Sequence, residues 1–257
     1  MSKFGVKLKQ KLKHKLVKSQ VVSCRPDYEQ ATHWGQYWIG KSTQYARDLG
    51  ITIHDLYGAK DNKQNFNSAV QVSSFIFGVG HGNSLVFTGQ NSEYLINASS
   101  SVDKKLVKNK HGSFLSCQFG KASMWLEMKS FHGYTVDFTF TTSTYPNGYA
   151  ELFFAPHNVY DEMILEGETC RAAWLESDYQ WRINLAESNK YPEYVQRYLL
   201  EDYEGRHFRG DWDATPLYDA VDPPPDDDDD DDNDNEVPWY CKSNWIPNFI
   251  KVWLGCQ

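Results

Sequence analysis

The stretch Ser74-Phe75-Ile76-Phe77-Gly78-Val79-Gly80-His81-Gly82 decides the fold of this chain. Its first six residues are almost continuously apolar, which predicts a strand buried on both faces rather than one alternating between core and water. The strand then ends in a histidine held between two glycines. Downstream, Ser113–Ser116 predicts a further strand and delivers Cys117. Two buried strands, each ending in a chemically competent side chain, set the frame for the rest.

Working outward, β-rich and helical segments alternate. Gln20–Cys24 reads as a strand ended by Arg25-Pro26-Asp27, and residues 29–49 as a helix stopped by Gly50. Ile51–Tyr57 is a second strand and Asp61–Val72 a weaker helix. After the strand of Ser74–Val79, residues 85–96 read as a hairpin and 98–110 as a polar, helical stretch. Gln118–Lys129 is expected to be a helix, Tyr134–Thr142 a fifth strand, and residues 151–203 two or three helices with Trp174, Tyr179 and Trp181 in their core. This alternation predicts an α/β protein of three αβα layers around a mainly parallel sheet. In such sheets the working residues lie at the carboxyl ends of the strands. His81 and Cys117 both fall there.

The 257 residues are long enough for a sizeable core. No apolar run reaches the roughly 18 residues of a membrane span, and the opening segment has no secretory apolar stretch, so a cytoplasmic protein is expected. Five scattered cysteines without a CxxC pair argue against a disulfide framework or a zinc site. The net charge of −8 is unevenly placed. Residues 1–18 hold seven lysines and no acid, whereas residues 201–236 hold sixteen acids against two arginines.

Three segments follow: a basic amphipathic head (1–19), a folded domain (20–203), and an acidic tether (204–257) ending in a short aromatic helix around Trp245, Phe249 and Trp253. The head could lie on an acidic surface, pack on its own protein, or meet its own acidic tail. The tail could associate with the domain as an autoinhibitory segment. No nucleic-acid recognition motif is present, so no specific nucleic-acid partner is expected.

A cysteine beside a histidine has a physical logic. An ordinary thiol is only a few per cent thiolate at neutral pH, and a neighbouring base raises that fraction. A helix beginning after Cys117 would add to it. Gly80 and Gly82 let a substrate carbonyl approach backbone N–H groups.

An apolar strand ending in His81-Gly82, followed by a second ending in Ser116-Cys117, resembles the caspase-like clan of cysteine peptidases. The glycine-rich loop around His81 and the run from Gly120 to Gly133 look most like its gingipain or bacterial and archaeal branch. The resemblance covers about residues 20–190. It implies a caspase-like sheet with Cys117 as nucleophile, His81 as acid–base, and the N–H groups of Gly82 and Cys117 as the oxyanion hole. It also implies a peptide or protein substrate and no required cofactor. Two departures stand out. Leu115 occupies the place where caspases have a pocket glutamine and legumain a glutamate, and Gln118 follows the cysteine. The preference for the residue before the cleaved bond stays open: Arg25 would favour acidic side chains, Asp27 basic ones.

Weighed against this, Cys117 could be an inert core residue and His81 a loop histidine. His54 is an alternative base without flanking glycines. His111, His132 and His157 have no zinc spacing, and Cys24, Cys170, Cys241 and Cys256 read as bystanders. The aspartates of 226–232 could attract calcium. The leading expectation is a cysteine endopeptidase working through an acyl-enzyme. The alternative is a catalytically silent caspase-like scaffold that acts through its basic head and aromatic tail.

Overall fold

A computed structural model of the chain describes residues 20–137 and 149–218. The basic head, the aspartate run 226–232, Cys241, Cys256 and the aromatic segment 245–253 lie outside the described residues. Along the chain come β1 (Gln20–Arg25), α1 (Gln30–Asp48), β2 (Thr52–Tyr57), α2 (Lys63–Val72) and β3 (Phe75–Val79). A hairpin of β4 (Val86–Thr88) and β5 (Tyr94–Asn97) follows, then α3 (Ser101–Val107), β6 (His111–Leu115) and β7 (Ser130–Tyr134). The chain continues through α4 (Ala150–Leu165), α5 (Cys170–Ala186), α6 (Glu193–Gly205) and β8 (Arg206–Gly210).

Six strands form one sheet in the order β2-β1-β3-β6-β7-β8. The first five are mutually parallel, and β8 runs antiparallel to β7. All five residues of β3 are buried, as its unbroken apolar run requires. Its odd-numbered residues, Phe75 and Phe77, join Val21, Leu115, Phe153 and Trp181 on one face. Ile76 joins Val22, Phe66, Phe87 and Phe114 on the other. Helices α1, α4 and α5 thus cover one side, and α2 with the hairpin covers the other. The three αβα layers expected from the sequence are present. Fully burying a phenylalanine contributes about 1.5–3 kcal/mol, so the sheet's apolar faces fix its register strongly.

Local signals explain the helix limits. Glu29 and Thr32 form a reciprocal capping box at the start of α1. After the helix, Gly50 takes a φ of +76°, the left-handed conformation that suits glycine. Asn62, Ser100 and Thr169 cap α2, α3 and α5 by accepting from backbone N–H groups.

Three expectations are corrected. The helix expected over 118–129 is a 3-10 helix of six residues, Phe119–Met124. The fifth strand lies at Ser130–Tyr134, earlier than the expected Tyr134–Thr142, of which residues 138–142 fall outside the described residues. Its polar members are buried because they pair across the sheet: His111 Nδ1 meets Ser130 Oγ at 2.7 Å, and Ser113 Oγ meets His132 Nδ1 at 3.1 Å. A run of Ser, His and Gly does not read as a buried strand until those partners are known. Finally, the folded domain extends past residue 203. Arg206–Gly210 completes the sheet, and Ala214 and Leu217 are buried in the core. The acidic flank draws this segment into the expected tether, although its few apolar residues anchor it.

Candidate active site

The carboxyl ends of the parallel strands bring the singled-out residues to one edge of the sheet. β3 and β6 are neighbours, with Val79 in register with Leu115. Gly80 N–H donates to the Leu115 carbonyl at 3.3 Å, which carries the pairing one residue further. The His81-Gly82 turn then crosses directly over Ser116 and Cys117. A methyl group at position 82 would stand 2.2 Å from Ser116 Oγ and 3.3 Å from the Cys117 carbonyl oxygen. One at position 80 would stand 2.0 Å from the Thr88 carbonyl oxygen. Both glycines are therefore demanded by close approach, and the approach at Gly82 joins the histidine motif to the cysteine motif.

Cys117 is half-buried at the end of β6. The next residue, Gln118, has a φ of +54°, so the chain turns sharply away from the strand. Phe119 holds this turn by packing on Phe114 at 5.2 Å and Phe87 at 5.6 Å between ring centroids. Aromatic pairs of this kind contribute roughly 0.5–1.5 kcal/mol beyond their burial. The short 3-10 helix supplies no α-helical N-terminus for the thiol, which removes one of the activating effects expected from the sequence.

His81 is exposed, with 46% of its side chain accessible. Its Nε2 lies 2.8 Å from Glu29 Oε1. The imidazole's hydrogen-bond partner is thus Glu29, not the thiol. Tyr28 presents its ring edge to the imidazole at 6.3 Å. Glu29 is fixed in turn, because Oε1 also accepts from Thr32 N–H at 3.2 Å at the head of α1. The backbone holds His81 from the other side, where both the N–H and the hydroxyl of Thr88 donate to its carbonyl. The bridge between Gly82 and Phe87 leaves the Gly82 N–H without an acceptor among the described residues. That donor can serve a developing oxyanion.

Arg25 ends β1, Asp27 lies just beyond it, and the two differ in availability. The guanidinium of Arg25 makes a two-point bond to Asp55, at 2.8 and 2.7 Å, and only 14% of the side chain is accessible. Burial would raise the Asp55 carboxyl, but Arg25 and Arg47 hold it below the usual range. Arg25 is thus committed to the fold. Asp27 sits at the rim, bonded to the Tyr57 hydroxyl at 2.7 Å and to His33 Nδ1 at 2.9 Å. The Tyr57 hydrogen bond holds its carboxyl low against partial burial, with His33 adding to the effect, so it stays ionised.

The remaining candidates fall elsewhere. His54 lies on β2, three strands away from β6, and bonds Gln20 of the neighbouring β1, which rules it out as the base for Cys117. Leu115 is fully buried in the core. Cys24 and Cys170 are buried, and burial pushes the Cys24 thiol up. Among the described residues, no group of three or more His, Cys, Asp or Glu side chains is arranged to hold a metal ion. No helix of the described residues is long and apolar enough to cross a membrane. A cavity of about 320 Å³ lined by Met124, Trp125, Met128, Phe131 and Arg209 opens at the amino-terminal end of β7, away from Cys117.

Glu29 is the residue of this candidate site that the sequence reading missed. It lies 52 positions from His81, and its only local signal is the capping box that places it at the head of α1. No family model and no curated protein matches the chain.

Proposed function

We propose that this chain is a cysteine endopeptidase in which Cys117 is the nucleophile, His81 the acid–base, and Glu29 the group that holds the imidazole. The observation that carries the reading is the crossing of the His81-Gly82 turn over Ser116-Cys117 at the carboxyl ends of adjacent parallel strands. With Nε2 held by Glu29, Nδ1 is the nitrogen left for proton exchange. The thiolate of Cys117 attacks the scissile carbonyl carbon, and the developing oxyanion is received by the N–H groups of Gly82 and Cys117. His81 protonates the departing amine as the C–N bond breaks, which leaves a thioester. Water, deprotonated by His81, then attacks the thioester, releasing the carboxylic acid and restoring the thiol.

The commitment of Arg25 to Asp55 favours Asp27 as the selective group. An ionised carboxylate on the rim suits a Lys or Arg side chain before the cleaved bond. A panel of fluorogenic peptides differing only at that residue tests both points. Basic members should be cleaved at least tenfold faster than acidic ones by the intact protein, and none by Cys117→Ala. Equal hydrolysis by Cys117→Ala would remove the reading.

A second reading is a catalytically silent module of the same fold. It is favoured by the hydrogen bond of His81 to Glu29 rather than to the thiol. In that case no peptide of the panel is cleaved, and Cys117→Ala leaves the protein's function intact.

A further inference from the structure

The hairpin β4–β5 and its tip have no part in the chemistry proposed above, yet they grip the site at two points. On one side, Thr88 holds the His81 carbonyl through its N–H at 2.9 Å and its hydroxyl at 3.0 Å. On the other, the side-chain amide of Gln90 pairs with the backbone of Asp27. Asp27 N–H donates to Gln90 Oε1 at 2.8 Å, and Gln90 Nε2 donates to the Asp27 carbonyl at 3.3 Å. A side chain thus stands in for a strand, making the two-bond pairing that a β-bridge would make. The main chain of Gln90 is anchored as well, since its N–H donates to the Asp61 carbonyl at 2.8 Å. A further bond, between the hydroxyls of Tyr28 and Ser92 at 2.8 Å, ties the same loop to the same tip.

The tip departs from ordinary backbone to make these contacts. Asn91 and Ser92 have φ of +54° and +61°, successive left-handed residues of which neither is glycine. Such conformations persist where the surroundings over-determine them. Glu29 lies two residues beyond Asp27, so the hairpin holds both the histidine and the loop that bears its carboxylate.

We propose that Gln90 is a positioning residue: through its paired bonds to Asp27 it fixes Glu29 against Nε2 of His81, and so sets which imidazole nitrogen faces the substrate. The proposal rests on the reading of His81 as the partner of Cys117, but its first readout does not need activity. Misplacement of a catalytic group by about 1 Å can cost on the order of a hundredfold in rate, so a loosened loop has a measurable consequence.

The test uses the full chain and two variants, Gln90→Ala and the near-isosteric Gln90→Glu, which can accept from Asp27 N–H but cannot donate to its carbonyl. Tyr28→Phe, which loses only the bond to Ser92, is a milder third. In 15N-histidine spectra at pH 8, wild-type His81 should be the tautomer protonated at Nε2. Both Gln90 variants should shift it towards a mixture of tautomers while their circular dichroism remains native. Iodoacetamide labelling of Cys117 at pH 6 should slow about tenfold in the Gln90 variants and less in Tyr28→Phe. An unchanged His81 tautomer in both Gln90 variants would overturn the proposal. If wild-type Cys117 labels no faster than buried Cys24, the peptidase reading fails instead, and the tautomer readout still decides the role of Gln90.

Discussion

Strand β6 carries two sets of residues that a formula would not distinguish. At its end, Cys117 meets the turn of His81, whose imidazole is bonded to Glu29. Four residues earlier, Ser113 Oγ lies 3.3 Å from His157 Nε2, and the same nitrogen is 3.7 Å from Asp161. Nucleophile, histidine and carboxylate occur in both. The difference is solvent. His81 has 46% of its side chain accessible, whereas His157 and Asp161 have none.

Burial drives His157 down to about pKa 3, so it is neutral near pH 7, and the same burial pushes the Asp161 carboxyl up. Ser113 also serves His132, which stacks on His157 at 4.9 Å and is itself held neutral, chiefly by burial. The inner set is a buried polar seam between β6, β7 and α4, in which Ser113 links the two histidines while both carboxyl oxygens of Asp161 lack a hydrogen-bond partner among the described residues. It holds the sheet to the helix and admits no substrate. The outer set lies at the strand ends, where His81 and Glu29 are open to solvent. Position in the sheet, not residue type, makes one of them a candidate for chemistry.

The largest effect that can break this contrast is on hydrolysis. Cys117→Ala should lower peptide cleavage by on the order of 10⁴-fold or more, while Ser113→Ala should leave the rate of the folded protein within about twofold. Steady-state assays on the same peptide decide it, and loss of cleavage in Ser113→Ala alone would exchange the roles of the two sets. Next, His81→Ala should cost about 10²- to 10⁴-fold in kcat, the usual contribution of general acid–base catalysis. Glu29→Gln sharpens the comparison. Its amide oxygen can still cap α1, so the melting temperature should hold while kcat falls roughly tenfold through loss of the orienting charge.

The smallest effect belongs to the inner set and appears in stability. Unfolded His157 takes up a proton near pH 6.5, whereas folded His157 resists until about pH 3. Between those values the unfolded state holds the extra proton, so the contribution is full above pH 6.5 and is lost as the pH falls. His157→Gln should flatten the pH dependence of unfolding free energy by about 1.4 kcal/mol per pH unit between roughly pH 6 and 4. Urea denaturation at several pH values measures the slope, and an unchanged slope would mean that His157 is not held neutral by burial.

Sequence patterns made some of this legible and hid the rest for identifiable reasons. β3 could be read end to end because both its faces are apolar and nothing else in the chain imitates it. The limits of α1 followed from Gly50, and the placement of His81 and Cys117 from the strands that precede them. β7 was displaced because Ser130 and His132 are buried through cross-strand bonds to His111 and Ser113, which periodicity does not encode. β8 was assigned to the tether because composition weighs acids and overlooks Ala214 and Leu217. Glu29 and Gln90 act across 52 and 63 residues of chain, on His81 and Asp27 respectively, so only the folded arrangement reveals them. The choice between Arg25 and Asp27 stays open in the sequence because it does not show that Asp55, on the neighbouring strand, pairs with Arg25.

The central claim, that His81 activates Cys117, is tested most directly by iodoacetamide labelling at pH 6 with mass-spectrometric mapping of the sites, on the native protein and on His81→Ala. The account predicts selective alkylation of Cys117 in the native protein and a fall of at least tenfold in the variant, since the thiolate is the reacting form. Labelling of Cys117 that is unchanged by His81→Ala would contradict it, and would leave the cysteine at the end of β6 as a packing residue.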